Sequence, residues 1–292
     1  DNSPTVLWND SADPKELSDA ISWGAVGATC NPVIALTALK QNKELWTQRI
    51  KEYNKSHPSA TDDAIGWAMV EELSINAAKL LEPAFEKYNG RNGRLSIQTD
   101  PRLFRDAKAL ADQAEYFSKL AKNIIVKIPV TTEAIDAFEE ATYRGVSLNA
   151  TVSFTVAQTI AVAEGIERGL KRREAEGKDI SQMGPVCTIM VGRTDDWIKV
   201  EAEKKGILVD PGIMEWAGVA AFKNAYRYDP TYGRGIPMEE ERIGMVVEHK
   251  DEISRRSRGG KGSRMINVLW INIGEQKAVP ERILKKYREK KA

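Results

Sequence analysis

The chain has 292 residues, 42% of them hydrophobic and 29% charged, and a formal net charge of +1. That balance argues against a general nucleic-acid or membrane binder, and the length suits one complete α/β barrel as a single domain over residues 1–292. Cys30 and Cys187 stand far apart within apolar segments, which excludes a disulfide framework or zinc-ribbon spacing and fits a reducing, cytoplasmic setting. The opening Asp1-Asn2-Ser3-Pro4 has no basic region ahead of an apolar core, and no apolar run is long enough to cross a bilayer, so neither secretion nor a membrane span is expected.

In chain order, short β-branched runs alternate with longer segments of helical period, the pattern of a parallel sheet with crossover helices. Strand one is expected over 5–8. A helix over 14–22 follows, with Asp13 as N-cap, Pro14 as first helical residue and Glu16 as capping-box acid. Strand two is expected over 26–29. Residues 42–88 then read as two consecutive helices, one more than a minimal barrel requires. Next come strand three over 94–97, a helix over 104–121, strand four over 124–130 and a helix over 133–143 opened by Thr131 or Thr132. Strand five (146–148), a helix (155–174) and strand six (186–191) continue the alternation, and weaker strands follow over 243–247 and 265–271. Gly145, Gly177 and Gly206 mark helix ends. Residues 254–264, SRRSRGGKGSR, are basic and glycine-rich and read as a loop. The expected fold is a single (β/α)8 TIM barrel with extra helices between strands two and three.

Strand four reads Asn123-Ile-Ile-Val-Lys127-Ile-Pro-Val, an ammonium within an apolar run, where unpaired burial would be costly. Two readings are open. Lys127 is a lysine at the strand's solvated end paired with a carboxylate, or it is a nucleophile, since a Schiff-base lysine needs the neutral amine that apolar surroundings favour. Asp13 is better placed than Asp10 to cap the first helix, leaving Asp10 as a second turn residue or as a group pointing into a barrel mouth. Asn31 precedes Pro32 and is held extended at a strand's end. Strands three, five and six contribute Gln98, Asn149, Thr151 and Thr188, followed by Met190 and Arg193. Polar residues thus recur with period two at the carboxyl ends of strands, where barrel active sites lie. Six consecutive strands with this feature exceed what turn chemistry explains.

The segments GATCNP, LSIQTDPR, NIIVKIPVT, GVSLNATVSFTVAQ and MVGRTDDW, in this order and spacing over residues 6–226, resemble the transaldolase family of class I aldolases. The resemblance implies that Lys127 forms the Schiff base and that Asp10 is the acid/base group acting on the donor's C4 hydroxyl. It further implies that Asn31, Asn149 and Thr188 bind the hydroxyls of a dihydroxyacetone unit. Thr151 matches the threonine that, with the side chain at the Gln98 position, holds a catalytic water. Arg193 matches a phosphate-binding arginine. Gln98 stands where well-studied transaldolases carry glutamate and the fructose-6-phosphate aldolase branch carries glutamine. Met190 replaces a phenylalanine or tyrosine, and long bacterial members also read MVGR with a glutamine. After Tyr226 the motif with an arginine and asparagine is missing, and Glu248, His249 and Lys250 stand in its place. Lys250 is the candidate second phosphate cation, with Arg255, Arg256, Arg258, Lys261 and Arg264 competing.

The function this implies is transfer of a dihydroxyacetone unit from a ketose phosphate to an aldose phosphate, of the pentose phosphate pathway type. It needs no cofactor and no metal, and a homodimer or larger assembly carries it out. The alternative is an aldolase releasing free dihydroxyacetone. A metal-dependent hydrolase or aldolase has little to work with, because His57 and His249 form no ligand-spaced cluster. Nucleic-acid binding through 254–264 lacks both a charge excess and an aromatic platform. Sugar phosphates are therefore the expected partners, rather than nucleic acid or membrane.

Overall fold

Capping oxygens punctuate the strand-to-helix turns. Asp13 accepts from the backbone N–H of Lys15 and Glu16 at 3.0 and 2.9 Å and, with Pro14 next, starts α1 (Pro14–Ser22). Asn31 is extended (φ −131°, ψ 168°) and accepts from Ile34 N–H at 2.9 Å to start α2 (Pro32–Gln41). Thr61 caps α4 (Asp62–Lys87), which follows α3 (Lys43–Ser56). Asp106 caps α5 (Ala107–Ser118), and Thr155 closes a capping box with Gln158 at the start of α7 (Val156–Ala175). Helices α6 (Ala134–Tyr143), α8 (Val191–Lys204) and α9 (Ala217–Tyr226) complete the set. The computed structural model describes residues 5–210, 216–226, 244–248 and 265–269.

Between these helices run β1 (Thr5–Asn9), β2 (Ala25–Thr29), β3 (Arg94–Gln98), β4 (Ile124–Pro129), β5 (Leu148–Thr151) and β6 (Val186–Ile189). All six pair in parallel, in chain order, as a curled half-barrel. One parity of strand residues, including Leu95, Ile97, Val126, Ile128, Leu148 and Ile189, joins the buried faces of the helices in the main core. The other parity faces inward. There Trp8, Ile125 and Val186 form a separate apolar floor with Val6 and Val26. Among the described residues no helix is long and apolar enough to cross a membrane.

Several boundaries differ from the sequence reading. Three helices, α2 to α4, separate β2 from β3; α2 escaped notice because its apolar residues surround it rather than forming one stripe. The helix expected over 104–121 is shorter, because the Asp106 side chain accepts from Ala109 N–H at 2.9 Å and starts α5 only at Ala107; a separate 3-10 turn at Pro101–Leu103 precedes it. Strand five continues through Thr151, since Lys127 pairs with Asn149 and Pro129 with Thr151. Its polar residues face the barrel interior instead of marking the strand's end.

The last units depart further. β7 (Gly244–Glu248) adds in parallel beside β6, but β8 (Met265–Leu269) is antiparallel to both β7 and β1, and through it the strand order closes. The eighth strand therefore does not follow the parallel repeat expected from sequence. A parallel return needs a crossover, usually a helix, and residues 249–264 contain Ile253 as their one aliphatic residue, too little for an apolar helical face.

Candidate active site

Parallel pairing sets Gln98 of β3 opposite Lys127 of β4, and Lys127 opposite Asn149 of β5. Three polar side chains from adjacent strands therefore share one level of the barrel interior. Lys127 is 6% exposed in the middle of its strand, and it forms no ion pair among the described residues. The reading of Lys127 as a solvated strand-end lysine paired with a carboxylate does not hold. Its surroundings are those of a buried amine that opens onto a cavity.

That cavity has a volume of about 710 Å³ and lies at the carboxyl ends of the strands. Asp10, Asn31, Gln98, Lys127, Thr151, Met190 and Arg193 all line it, although they are spread over more than 180 positions of sequence. Asp13 does cap α1, and Asp10, 9% exposed, lies instead at the end of β1 facing the cavity. The Thr29 hydroxyl donates to Asp10 Oδ1. Asn31 spends its Oδ1 on the cap of α2, so its amide nitrogen is the atom with hydrogens left to offer. Arg193 stands exposed in the first turn of α8, directly after Met190, its N-cap residue.

Asn149 and Thr188 sit deeper and do not line the open cavity. The Thr188 hydroxyl donates to Asn149 Oδ1 at 2.8 Å, and Asn149 Nδ2 donates to Ser96 Oγ at 3.0 Å, all three side chains being buried. This chain pins the orientation of the Asn149 amide and leaves one of its two Nδ2 hydrogens for a group beside Lys127. Lys250, His249 and the basic segment 254–264 lie outside the described residues.

Two features of the site were missed in the sequence reading. Thr29 and Ser96 share strand parity with Asn31 and Gln98, so period-two alternation held the signal that would have picked them out. Val152, on the cavity rim after Thr151, has φ of 55°, a left-handed conformation that a β-branched residue rarely adopts. Gln158 braces this turn: its Nε2 donates to Val152 O at 3.2 Å, and its Oε1 accepts from Phe154 N–H at 3.0 Å.

Burial governs the thiols. Cys30, immediately after β2, is pushed up to about 12, first by desolvation and then by the negative charge of Asp10, with Lys127 partly offsetting both. Its thiol therefore stays protonated at neutral pH. Among the described residues no group of three or more His, Cys, Asp or Glu side chains is arranged to hold a metal ion.

A buried lysine amine, a buried carboxylate and a polar wall of amides and hydroxyls, with an arginine at the rim, are the groups needed for carbonyl chemistry on a polyhydroxylated anion. Comparison with known proteins identifies the family. The sequence model of the transaldolase/fructose-6-phosphate aldolase family matches residues 7–252, continuing beyond Tyr226, where the sequence motifs fade. A transaldolase of Thiobacillus denitrificans is 31% identical over 229 residues, covering 78% of this chain and 62% of that protein. One from Mycolicibacterium smegmatis is 31% identical over 212 residues (71% and 56%), and one from Saccharopolyspora erythraea is 30% identical over 212 residues (72% and 55%). The chain thus spans about three fifths or less of the length of these relatives. With matching order, spacing and a family model covering most of its length, the chain belongs to the transaldolase/fructose-6-phosphate aldolase family.

Proposed function

We propose that the protein is a transaldolase, moving a dihydroxyacetone unit from a ketose phosphate to an aldose phosphate through a Schiff base on Lys127, in a single α/β barrel domain. The observation that carries this reading is the buried Lys127 amine opening on the same cavity as Asp10, Gln98 and Thr151.

The neutral Lys127 Nζ adds to the ketose C2 carbonyl, and loss of water leaves an iminium. Asp10 takes the proton of the C4 hydroxyl as the C3–C4 bond breaks. The bond's electron pair passes into the iminium and forms an enamine, while C4 becomes the carbonyl of the departing aldose. The steps then reverse with a second aldose: the enamine carbon attacks its aldehyde, Asp10 returns the proton, and water releases the product from Lys127. Asn31, Asn149 and Thr188 hold the hydroxyls of the three-carbon unit, and Thr151 and Gln98 hold the water. Arg193, with a planar fork of donors, binds the phosphate end of the sugar, remote from the bond that breaks. Lys250 is the proposed second phosphate cation.

A second reading draws on Gln98, whose amide cannot move a proton as a carboxylate can: an aldolase that releases free dihydroxyacetone. Borohydride reduction in the presence of a ketose phosphate, followed by peptide mapping, is expected to leave a stable adduct on Lys127. An adduct on another lysine, or none with any ketose tried, counts against both readings. A donor and acceptor panel scored for free dihydroxyacetone against transferred product separates them.

A further inference from the structure

Asp10 and Thr29 stand at the carboxyl ends of the adjacent strands β1 and β2, and the fully buried Thr29 hydroxyl donates to Asp10 Oδ1. An ionised carboxylate offers only acceptors, so the proton in this bond is the threonine's. Two residues earlier on the same strands, Gly27 lies against the Trp8 indole, within 2.6 Å of where a β-carbon would stand. Both side chains therefore rise from a filled floor that leaves little room to rearrange.

We infer that Thr29 is a positioning residue for the acid/base step: its hydroxyl holds Oδ1 of Asp10 and so fixes the carboxylate that takes the proton of the donor's hydroxyl. The inference rests on the reading of Asp10 as the acid/base group. By donating to the ionised carboxylate the hydroxyl favours that form and also holds its rotamer. Among the described residues, the titratable groups near Asp10 include Lys127 of β4 and the Cys30 thiol, with Glu16 of α1 and Arg193 of α8 on the same cavity. Thr29 differs from the charged groups among them in being neutral at every working pH. Removing its hydroxyl changes the hydrogen bonding of Asp10 and leaves the charge of the site alone.

Thr29→Val keeps the side chain's shape and deletes the hydroxyl, while Thr29→Ser keeps the hydroxyl and deletes a methyl. With a ketose phosphate donor, Thr29→Val is expected to lower kcat about tenfold or more, the worth of a hydrogen bond to a charged group. KM should stay within about twofold, since ground-state binding is untouched. The acidic limb of the kcat/KM profile should move to higher pH, because the carboxylate loses a bond that favours its ionised form. Thr29→Ser should restore rate and limb, and Thr29→Ala, which cannot crowd the site, is read by the same criteria as valine. Borohydride trapping on Lys127 in every variant shows that the site is folded. Wild-type kcat and limb in Thr29→Val, or equal losses in the valine and serine variants with an unmoved limb, overturn the inference. A wild-type protein that traps no adduct on Lys127 overturns the reading of the site beneath it.

Discussion

Gln98 brings an amide beside Lys127, where a carboxylate would both hold a water and carry its proton. An amide can do only the first. Gln98→Glu is therefore expected to change the ratio of transferred product to free dihydroxyacetone by about tenfold, the low end of what a general acid or base contributes, with the donor KM within about twofold. Quantifying both products from one reaction checks this; an unchanged ratio would make Gln98 a packing or hydrogen-bonding residue. Val152 is a different kind of residue-scale feature. Its left-handed φ of 55° holds about 1–3 kcal/mol of strain, and Gln158 supplies the hydrogen bonds that maintain it. Gln158→Leu should loosen this turn and lower kcat severalfold while Lys127 still traps an adduct, because Thr151 is the residue the turn aims into the cavity. Full activity in Gln158→Leu would separate the strained turn from the chemistry.

At the scale of elements, two glycines mark where a neighbouring element comes too close for a side chain. A β-carbon on Gly169 of α7 would lie 2.5 Å from Glu139 O of α6, which explains how these helices pack so closely. On Gly27 of β2 it would lie 2.5 Å from Trp8 Nε1 and 2.6 Å from two indole carbons. Trp8 is fully buried on the barrel floor, and among the described residues its Nε1 has no hydrogen-bond partner. Gly27→Ala is expected to destabilise the fold by about 1–3 kcal/mol through overpacking and to lower kcat, since the displaced ring lies beneath Asp10 and Thr29. Trp8→Phe removes the crowding part of the indole, so the cost of Gly27→Ala should shrink in that background. Denaturant midpoints of the four proteins in this cycle measure the coupling, and strictly additive losses would show that the close contact is not what limits Gly27.

For the whole molecule, burial of the two thiols ties stability to alkaline pH. Cys30 and Cys187 are each raised from an ordinary 9.0 to about 12, chiefly by desolvation. Between those values the folded chain keeps both protons and the unfolded chain releases them, so stability is fully present below pH 9 and is lost as pH rises. The slope reaches at most about 2.7 kcal/mol per pH unit. Arg94 opposes this. Desolvation lowers its guanidinium to about 10, so above that pH the folded chain gives up a proton that the unfolded chain still holds. Its donors meet Gly90 O at 2.8 Å, Gln182 O at 2.6 Å and Ser147 Oγ at 3.3 Å. The net effect is steepest between pH 9 and 10. Denaturant midpoints at pH 8 and pH 10 should fall less for Cys30→Ala and Cys187→Ala than for the wild type, and parallel slopes in all three would show that the thiols titrate normally.

Sequence by itself determined the alternation of strands and helices, the cap at Asp13 and the parity that faces Gln98, Lys127 and Thr151 inward. These depend on neighbours within a few positions, and local chemistry encodes them. It could not extend β5 through Thr151 or set the direction of β8, because each depends on pairing with distant residues. Nor could it decide which of two meanings Lys127 has. A lysine at a solvated strand end and a lysine within a barrel share the same local sequence, and only the pairing of β4 with β3 and β5 buries the amine and brings Asp10 to the same cavity. The bond from Thr29 to Asp10 belongs to the same class. Strand adjacency makes it, and adjacency is a property of the folded sheet.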